Sequence, residues 1–346
     1  MMLENTGNEI FNFAGQFLAE AGKNVVIVPH ENPDGDAVGS AIGLGQILKN
    51  SGQNVYVLSP NDYPDFLKWF SSKIEVSIFE RERKKAKKWL EAADLMICVD
   101  FNDAKRAARL EKEILAFSKP KLLIDHHPNP VYFCNYTVSE TAYSSTAELV
   151  YDFITRIGFE KYLDHNAAEA LYTGILTDTG SFSHNTSRPN VFKVVAELMK
   201  FGINTDKIQS NIYHNFSAER MKLLGYCLNK KMEVFPELRS VVISITKAEL
   251  EKFNFKPGDT EGFVNYPLSI NNIVFSALFI EKEGLVKASF RSKGNFPANE
   301  FSKNHFNGGG HVNAAGGESK EDLKKTIRLF KQLLVQYKHQ LLETII

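Results

Sequence analysis

The chain has no surplus of charge: 41 lysines and arginines stand against 41 aspartates and glutamates. A duplex-DNA binder normally carries a basic excess, so that class of partner is not expected. Small anionic substrates stay open, because a local positive site needs no net charge. Apolar runs are short, none near the roughly 20 residues a membrane helix needs, so no membrane partner is expected. The start, Met1-Met2-Leu3-Glu4-Asn5, has no basic segment followed by an apolar one, which argues against a signal peptide. Cysteines number three and are scattered: Cys98, Cys134 and Cys227. That is neither a disulfide framework nor a zinc spacing, and it reads as reduced thiols in or near cores. With no secretory signal, Asn185-Thr186-Ser187 counts as a chance glycosylation match. The expected compartment is the cytoplasm. No internal repeat or low-complexity tract is present.

What is there is enough chain for two domains, 346 residues, with ordinary apolar content. Short apolar runs at residues 25–28, 55–58, 95–99 and 121–124 alternate with helix-like stretches at 37–50, 84–93 and 104–117. This alternation predicts an α/β domain, a doubly wound and mainly parallel sheet with helices on both faces. Residues 145–229 read as mostly helical, with Ser187 as cap and Pro189 in the first turn of one helix. Arg188 is taken as part of that helix start. From residue 230 the pattern turns β-rich, with strands at 241–245, 273–280 and 285–290. A hairpin turn is expected at Glu281-Lys282-Glu283-Gly284. A long helix from about Glu321 carries one apolar stripe, Leu323, Ile327, Phe330, Leu334, Tyr337 and Leu341. The second domain is therefore a smaller α/β unit with a mixed sheet. The expected boundaries are 1–186, a helical linker at 187–229, and 230–346.

Metal-ligand chemistry gathers at the strand ends. His30-Glu31-Asn32-Pro33-Asp34-Gly35-Asp36 leaves the first strand with three ligand-type side chains in seven residues. Asp100 follows the run at 95–99, and Asp125-His126-His127 follows the run at 121–124. Asp178 ends a predicted buried helix. In a parallel sheet, ligands bind outside the carboxyl ends of the strands. Each motif alone has a plainer reading. Asp34 and Asp36 could cap the next helix, Asp100 could be a turn residue, and His126 and His127 could simply be hydrogen-bonded. Together they leave many carboxylates on one sheet edge with few compensating bases, which points to a shared metal site.

These motifs resemble those of the DHH phosphoesterase superfamily, named for the triplet that stands here as Asp125-His126-His127. The family's first motif matches residues 30–40, and Asp100 and Asp178 match its second and fourth. The segment Asn307-Gly308-Gly309-Gly310-His311-Val312-Asn313-Ala314-Ala315-Gly316-Gly317 resembles the signature of the first type of DHH-associated domain. Five motifs in order cover nearly the whole chain. Residues 288–294 followed by Gly308–His311 resemble the substrate domain of the compact nano-RNase/pAp-phosphatase group. Val312 departs from the proline common at its position.

The resemblance implies two divalent metal ions. By position, His30, Asp34, Asp100 and Asp178 would hold one, and Asp36, Asp100, His126 and Asp178 the other. A ligand set of carboxylates and imidazoles without thiolate favours manganese, with magnesium or iron as alternatives. The resemblance also gives Asp125 the role of orienting the histidines, and His127 a contact with the substrate phosphate or leaving oxygen. Arg291 can grip a phosphate in two parallel hydrogen bonds, with Ser292 beside it. Gly308, Gly309 and Gly310 suggest a backbone nest for an anion, with His311 next to it. The expected activity is hydrolysis of short oligonucleotides and of 3′-phosphoadenosine 5′-phosphate (pAp). The alternatives are a phosphodiesterase of linear or cyclic dinucleotides, a RecJ-like single-strand exonuclease, and a non-enzymatic nucleotide sensor. A homodimer is compatible with the sequence but not indicated by it.

Overall fold

The computed structural model describes residues 3–70 and 74–345; Met1 and Met2, at the head of the segment read as lacking a signal peptide, lie outside them. The chain divides into two compact units, Met1–Asn215 and Phe216–Ile346. Among the described residues no helix is long and apolar enough to cross a membrane.

The first unit carries strands β1 (Asn24–Val28), β2 (Asn54–Ser59), β3 (Val76–Ile78), β4 (Leu95–Val99), β5 (Lys121–Asp125) and β6 (Tyr136–Ser139). Its helices are α1 (Leu3–Ala19), α2 (Gly35–Asn50), α3 (Phe79–Ala92), α4 (Glu111–Ala116), α5 (Thr146–Arg156), α6 (His165–Asp178), α7 (Pro189–Met199) and α8 (Thr205–Tyr213). The strands form one parallel sheet in the order β3-β2-β1-β4-β5-β6. Side chains alternate faces along a strand. Val25 and Ile27 therefore join one core with α2, α5 and α6, while Val26 and Val28 join the other with α3 and α4. Burial on both faces is why β1, β4 and β5 read as unbroken apolar runs. The strand order reverses between β1 and β4, and that gap is where a doubly wound sheet leaves a crevice for ligand.

Helix α2 runs close against α6, backbone to backbone at Gly39 and Gly174, with Leu171 and Thr177 of α6 filling the space over Gly43 and Gly35. A Cβ on Gly39 would sit 2.5 Å from Ala170 O, and one on Gly174 would sit 2.6 Å from the Ala147 Cβ. Glycine is required at these two positions by contact, not by backbone conformation. The close approach brings the start of α2, the start of α5 and the end of α6 to one place.

Several expectations are corrected. Strands β3 and β6, three and four residues long at the sheet edges, carry too little apolar pattern to read. The helix expected over 104–117 is broken. A tight 3₁₀ stretch, Ala104–Leu110, holds Ala108 at φ 34° before α4 begins. Arg188, not Ser187, is the cap residue of α7, and it makes no side-chain cap bond. Helices α7 and α8 bury Val191, Val194, Leu198, Ile208 and Ile212 in the core of the first unit. The unit boundary thus falls inside the stretch read as a linker.

The second unit contains α9 (Ala218–Tyr226), β7 (Met232–Phe235), β8 (Ser240–Ile245), α10 (Lys247–Lys252), β9 (Phe275–Lys282) and β10 (Leu285–Ser292). It continues through α11 (Ala298–His305), β11 (Gly309–His311), β12 (Ala314–Ser319), α12 (Leu323–Gln336) and α13 (Lys338–Glu343). Its sheet order is β11-β12-β10-β9-β8-β7, mixed as expected, with β8 and β9 parallel and the other pairs antiparallel. The expected hairpin turn closes at Glu283-Gly284. The long C-terminal helix breaks at Tyr337, but its apolar stripe packs as read, with Leu323, Phe330, Leu334 and Leu341 buried.

The two kinds of glycine give opposite predictions. Gly39→Ala must push α2 from α6 and is expected to destabilise by about 2 kcal/mol. A Cβ on Gly225, inside α9, would have nothing within 4 Å, so Gly225→Ala should stabilise by about 0.5–1 kcal/mol. Denaturant unfolding of the two variants beside the parent chain checks both signs.

Candidate metal centre

The strand ends deliver the ligands in turn. Asp34 is the cap residue of α2, its Oδ1 accepting from Asp36 N and Ala37 N, each at 3.1 Å. Its Oδ2 lies 3.9 Å from His30 Nε2. Capping and ligation are therefore compatible on one carboxylate. Asp36 points elsewhere. Its oxygens accept from Thr146 N (2.7 Å) and Ala147 N (2.9 Å) at the start of α5, and from Ser40 Oγ (3.3 Å). Asp100 leaves β4 at φ 68°, a left-handed conformation that aspartate tolerates better than most residues.

Asp100 faces two ways. Its Oδ2 is 3.6 Å from His30 Nε2, and its Oδ1 is 3.7 Å from His126 Nε2. His126 Nε2 also lies 3.8 Å from Asp36 Oδ2 and 3.6 Å from Asp178 Oδ2. These spacings are too long for hydrogen bonds. They are close to what a shared ion requires, since two ligand atoms about 2.1 Å from one ion lie roughly 3.0–3.6 Å apart. The structure thus groups His30, Asp34 and Asp100, and beside them Asp36, His126 and Asp178. Asp100 stands between the two sets.

The imidazoles are set for ligation. His30 Nδ1 donates to Glu31 O at 2.9 Å, and His126 Nδ1 to Tyr143 O at 3.3 Å. A carbonyl can only accept, so each Nδ1 holds the hydrogen and each Nε2 offers a lone pair to the cluster. His127 differs. Its Nδ1 donates to Asp125 Oδ1 at 2.8 Å. Asp125 is fully buried, and its Oδ2 has no hydrogen-bond partner among the described residues.

The electrostatics describe a site rich in negative charge. Burial, together with the nearby charges of Asp100 and Asp178, raises the Asp36 carboxyl well above the ordinary range. Burial disfavours the charged form of His30, but the neighbouring carboxylates of Asp100 and Asp34 outweigh it and raise its pKa. For His126 burial is likewise outweighed, by Asp36 and Asp100. Asp100 is held below the usual carboxylate range despite burial, by the imidazoles of His30, His127 and His126 around it. A cluster that takes up protons to offset its charge is one in which a divalent cation can do the same. The ligand spacings and the donor chemistry both fit such an ion.

In the second unit, Arg291 on β10 and His311 on β11 both pair with Ala314 of β12. They lie in one row across three strands, on one face, about 10 Å apart by strand spacing. Arg291 Nη1 bonds its neighbour's carbonyl, Phe290 O, at 2.9 Å. Ser292 is buried, donating to Phe296 O (2.7 Å) and accepting from Asn313 Nδ2 (2.8 Å), so it braces the turn between β11 and β12. Gly309 and Gly310 form an extended edge strand with His311 where a curved anion nest was expected, because they pair with β12. Gly308 is demanded by packing, since a Cβ there would collide with Gly316 O, whereas Gly309 faces open space.

Family comparison then becomes decisive. The family described as "DHH family, N-terminal domain" matches residues 24–175, and the DHHA1 domain matches residues 239–336. The chain belongs to the DHH family. Curated relatives include the bifunctional oligoribonuclease and PAP phosphatase NrnA of Thermus thermophilus, 29% identical over 86% of this chain and 84% of its own. The Bacillus subtilis protein of that name is 26% identical over 84% of this chain and 88% of its own. An exopolyphosphatase-related protein from Bacteroides fragilis superposes with TM-score 0.92 and 39% identity, covering 97% of this chain and 98% of that one. Manganese-bound RecJ from Thermus thermophilus shares the fold at TM-score 0.53 and 17% identity, over 96% of this chain and 55% of its own.

Within the DHH triplet the roles now separate by geometry: Asp125 closes β5 and bonds His127, while His126 turns to the carboxylates. The residue the sequence did not reveal is Thr146, whose Oγ1 donates to Asp100 Oδ1 at 2.8 Å. In the sequence Thr146 lies in the stretch 145–229, which reads only as mostly helical.

Because His30 and His126 titrate above their ordinary 6.5, a metal must displace protons from them in this cluster. Metal affinity is therefore expected to keep rising with pH beyond 6.5 and to level off only above the raised values. Calorimetric manganese titrations in buffers of different ionisation enthalpy should show proton release that shrinks as pH increases.

Proposed function

We propose that the chain hydrolyses short oligonucleotides and pAp, using two divalent ions, with manganese preferred, held by His30, Asp34, Asp36, Asp100, His126 and Asp178. At the coarser level it is a phosphoric ester hydrolase of the DHH family. The observation that carries the proposal is Asp100, whose two oxygens face different histidines, 3.6 Å and 3.7 Å away, as a bridging carboxylate would. Its relatives named for oligoribonuclease and PAP phosphatase activity supply the substrate class.

When bound, such ions supply a water acidic enough to attack at neutral pH and offset charge on the phosphoryl oxygens. The chain's own groups do the rest. His30 and His126, fixed through Nδ1, keep their Nε2 atoms on the carboxylate side. His127 has its Nδ1–H committed to Asp125, so proton transfer to the leaving oxygen comes from Nε2–H of the doubly protonated ring. Asp125 holds that ring in orientation and stabilises its charge. Within the second unit, Arg291, His311 and the exposed backbone at Gly309 are assigned to phosphate binding, with Ser292 bracing the turn beside them.

Product analysis with manganese on pAp, linear dinucleotides, cyclic dinucleotides, pyrophosphate and polyphosphate tests the substrate class. The nucleotides should be cleaved and pyrophosphate spared. Turnover of pyrophosphate or polyphosphate alone would overturn the reading. Asp100→Asn should lower turnover by more than the roughly 10–100-fold that losing a ligand's own hydrogen-bond partner costs. His127→Gln should slow hydrolysis of natural esters by about 10²–10⁴-fold. It should cost much less on a p-nitrophenyl ester, whose leaving group needs no proton, and an equal loss on both would remove His127 as the acid.

A further inference from the structure

Thr146 touches the carboxylate cluster twice. Its backbone N–H donates to Asp36 Oδ2 at 2.7 Å, and its hydroxyl donates to Asp100 Oδ1 at 2.8 Å. Both acceptor oxygens are the ones that face His126 Nε2, at 3.8 and 3.7 Å. The oxygens that face His30, Asp34 Oδ2 and Asp100 Oδ2, lie outside these bonds. Thr146 is fully buried, so water does not compete for its hydroxyl.

The backbone around it is fixed independently. Ser145 caps α5 by accepting from Glu148 N at 3.0 Å, and Glu148 Oε2 returns to Ser144 N and Oγ at 2.8 and 2.7 Å. Asn190 holds the other Glu148 oxygen at 2.9 Å. The start of α5 is therefore a firmly held mount; Ala147 N reaches Asp36 Oδ1 from it, and Thr146 reaches both Asp36 Oδ2 and Asp100 Oδ1. Asp100 needs that support, because its left-handed backbone sets only where its side chain begins.

We propose that Thr146 is a positioning residue that selectively tunes the ion site on the His126 side of Asp100, leaving the His30 side to its own ligands. The hydroxyl fixes the lone-pair direction of Asp100 Oδ1 and draws charge from it. The N–H does the same for Asp36 Oδ2. The two contacts together set the distance between these oxygens, and that distance decides whether both can bind one ion. The proposal rests on the two-ion reading of the centre, not on the choice of substrate.

Thr146→Val keeps the volume and removes the hydroxyl; Thr146→Ser keeps the hydroxyl. Manganese binding without substrate, followed by calorimetry and by the electron paramagnetic resonance of free ion, resolves the equivalents. In Thr146→Val one equivalent should weaken by roughly 10–100-fold while the other stays as in the parent, and Thr146→Ser should retain both. Thermal melts of the metal-free proteins report whether each variant folds. Equal weakening of both equivalents, equal loss in Thr146→Ser, or unchanged binding in Thr146→Val would each overturn the proposal. A parent chain that binds no manganese would overturn the metal centre itself, and a parent that binds two ions but spares nucleotides would overturn only the substrate assignment.

Discussion

The carboxylates of Asp36 and Asp100 are both buried beside one histidine, His126, and both hang from one threonine. Like charges held so close oppose the folded state unless something offsets them. The surrounding structure is organised around that repulsion. Backbone N–H groups at the start of α5 point at Asp36, imidazoles stand on each side of Asp100, and raised pKa values mark where protons stand in for a cation. The sheet supplies the place, since the switch between β1 and β4 opens a crevice where His30 and Asp100 emerge on neighbouring strands.

Where burial was two-sided, the sequence was readable. Strands β1, β4 and β5 are sealed on both faces, so their apolar runs are continuous and the ligands after them are conspicuous. Edge strands β3 and β6 pair on one side only and leave little pattern. The kink at Ala108 depends on a backbone conformation that no local composition announces. Gly308, Gly309 and Gly310 suggest an anion nest because glycine permits close backbone approach. The extended form of this segment comes from pairing with β12, which local composition does not specify. Thr146 is the sharpest case: it lies 46 residues from Asp100 in the chain, and only the folded α5 brings its hydroxyl there. Net neutrality concealed a strongly negative centre because the compensating bases lie elsewhere on the molecule.

Two imidazole tautomers in the centre are set by main-chain carbonyls, those of Glu31 and Tyr143. The side chains at those positions take no part, so ring orientation depends on the path of the chain and not on residue identity there. His127 is the exception, since its partner is the Asp125 carboxylate. A charged partner suits a ring that must carry charge, and a neutral carbonyl suits rings that must stay neutral to ligate.

Asp36 and Asp178 sit at the adjoining ends of α2 and α6, whose backbones meet at glycines. Ordinary helix contacts are cushioned by side chains that can change rotamer and absorb a shift. Where Gly39 meets Ala170 and Gly174 that cushion is missing, and a displacement of one helix there is handed directly to the other. The spacing of the two helix ends that carry these carboxylates is thus set by backbone contact, which a change of rotamer cannot relieve.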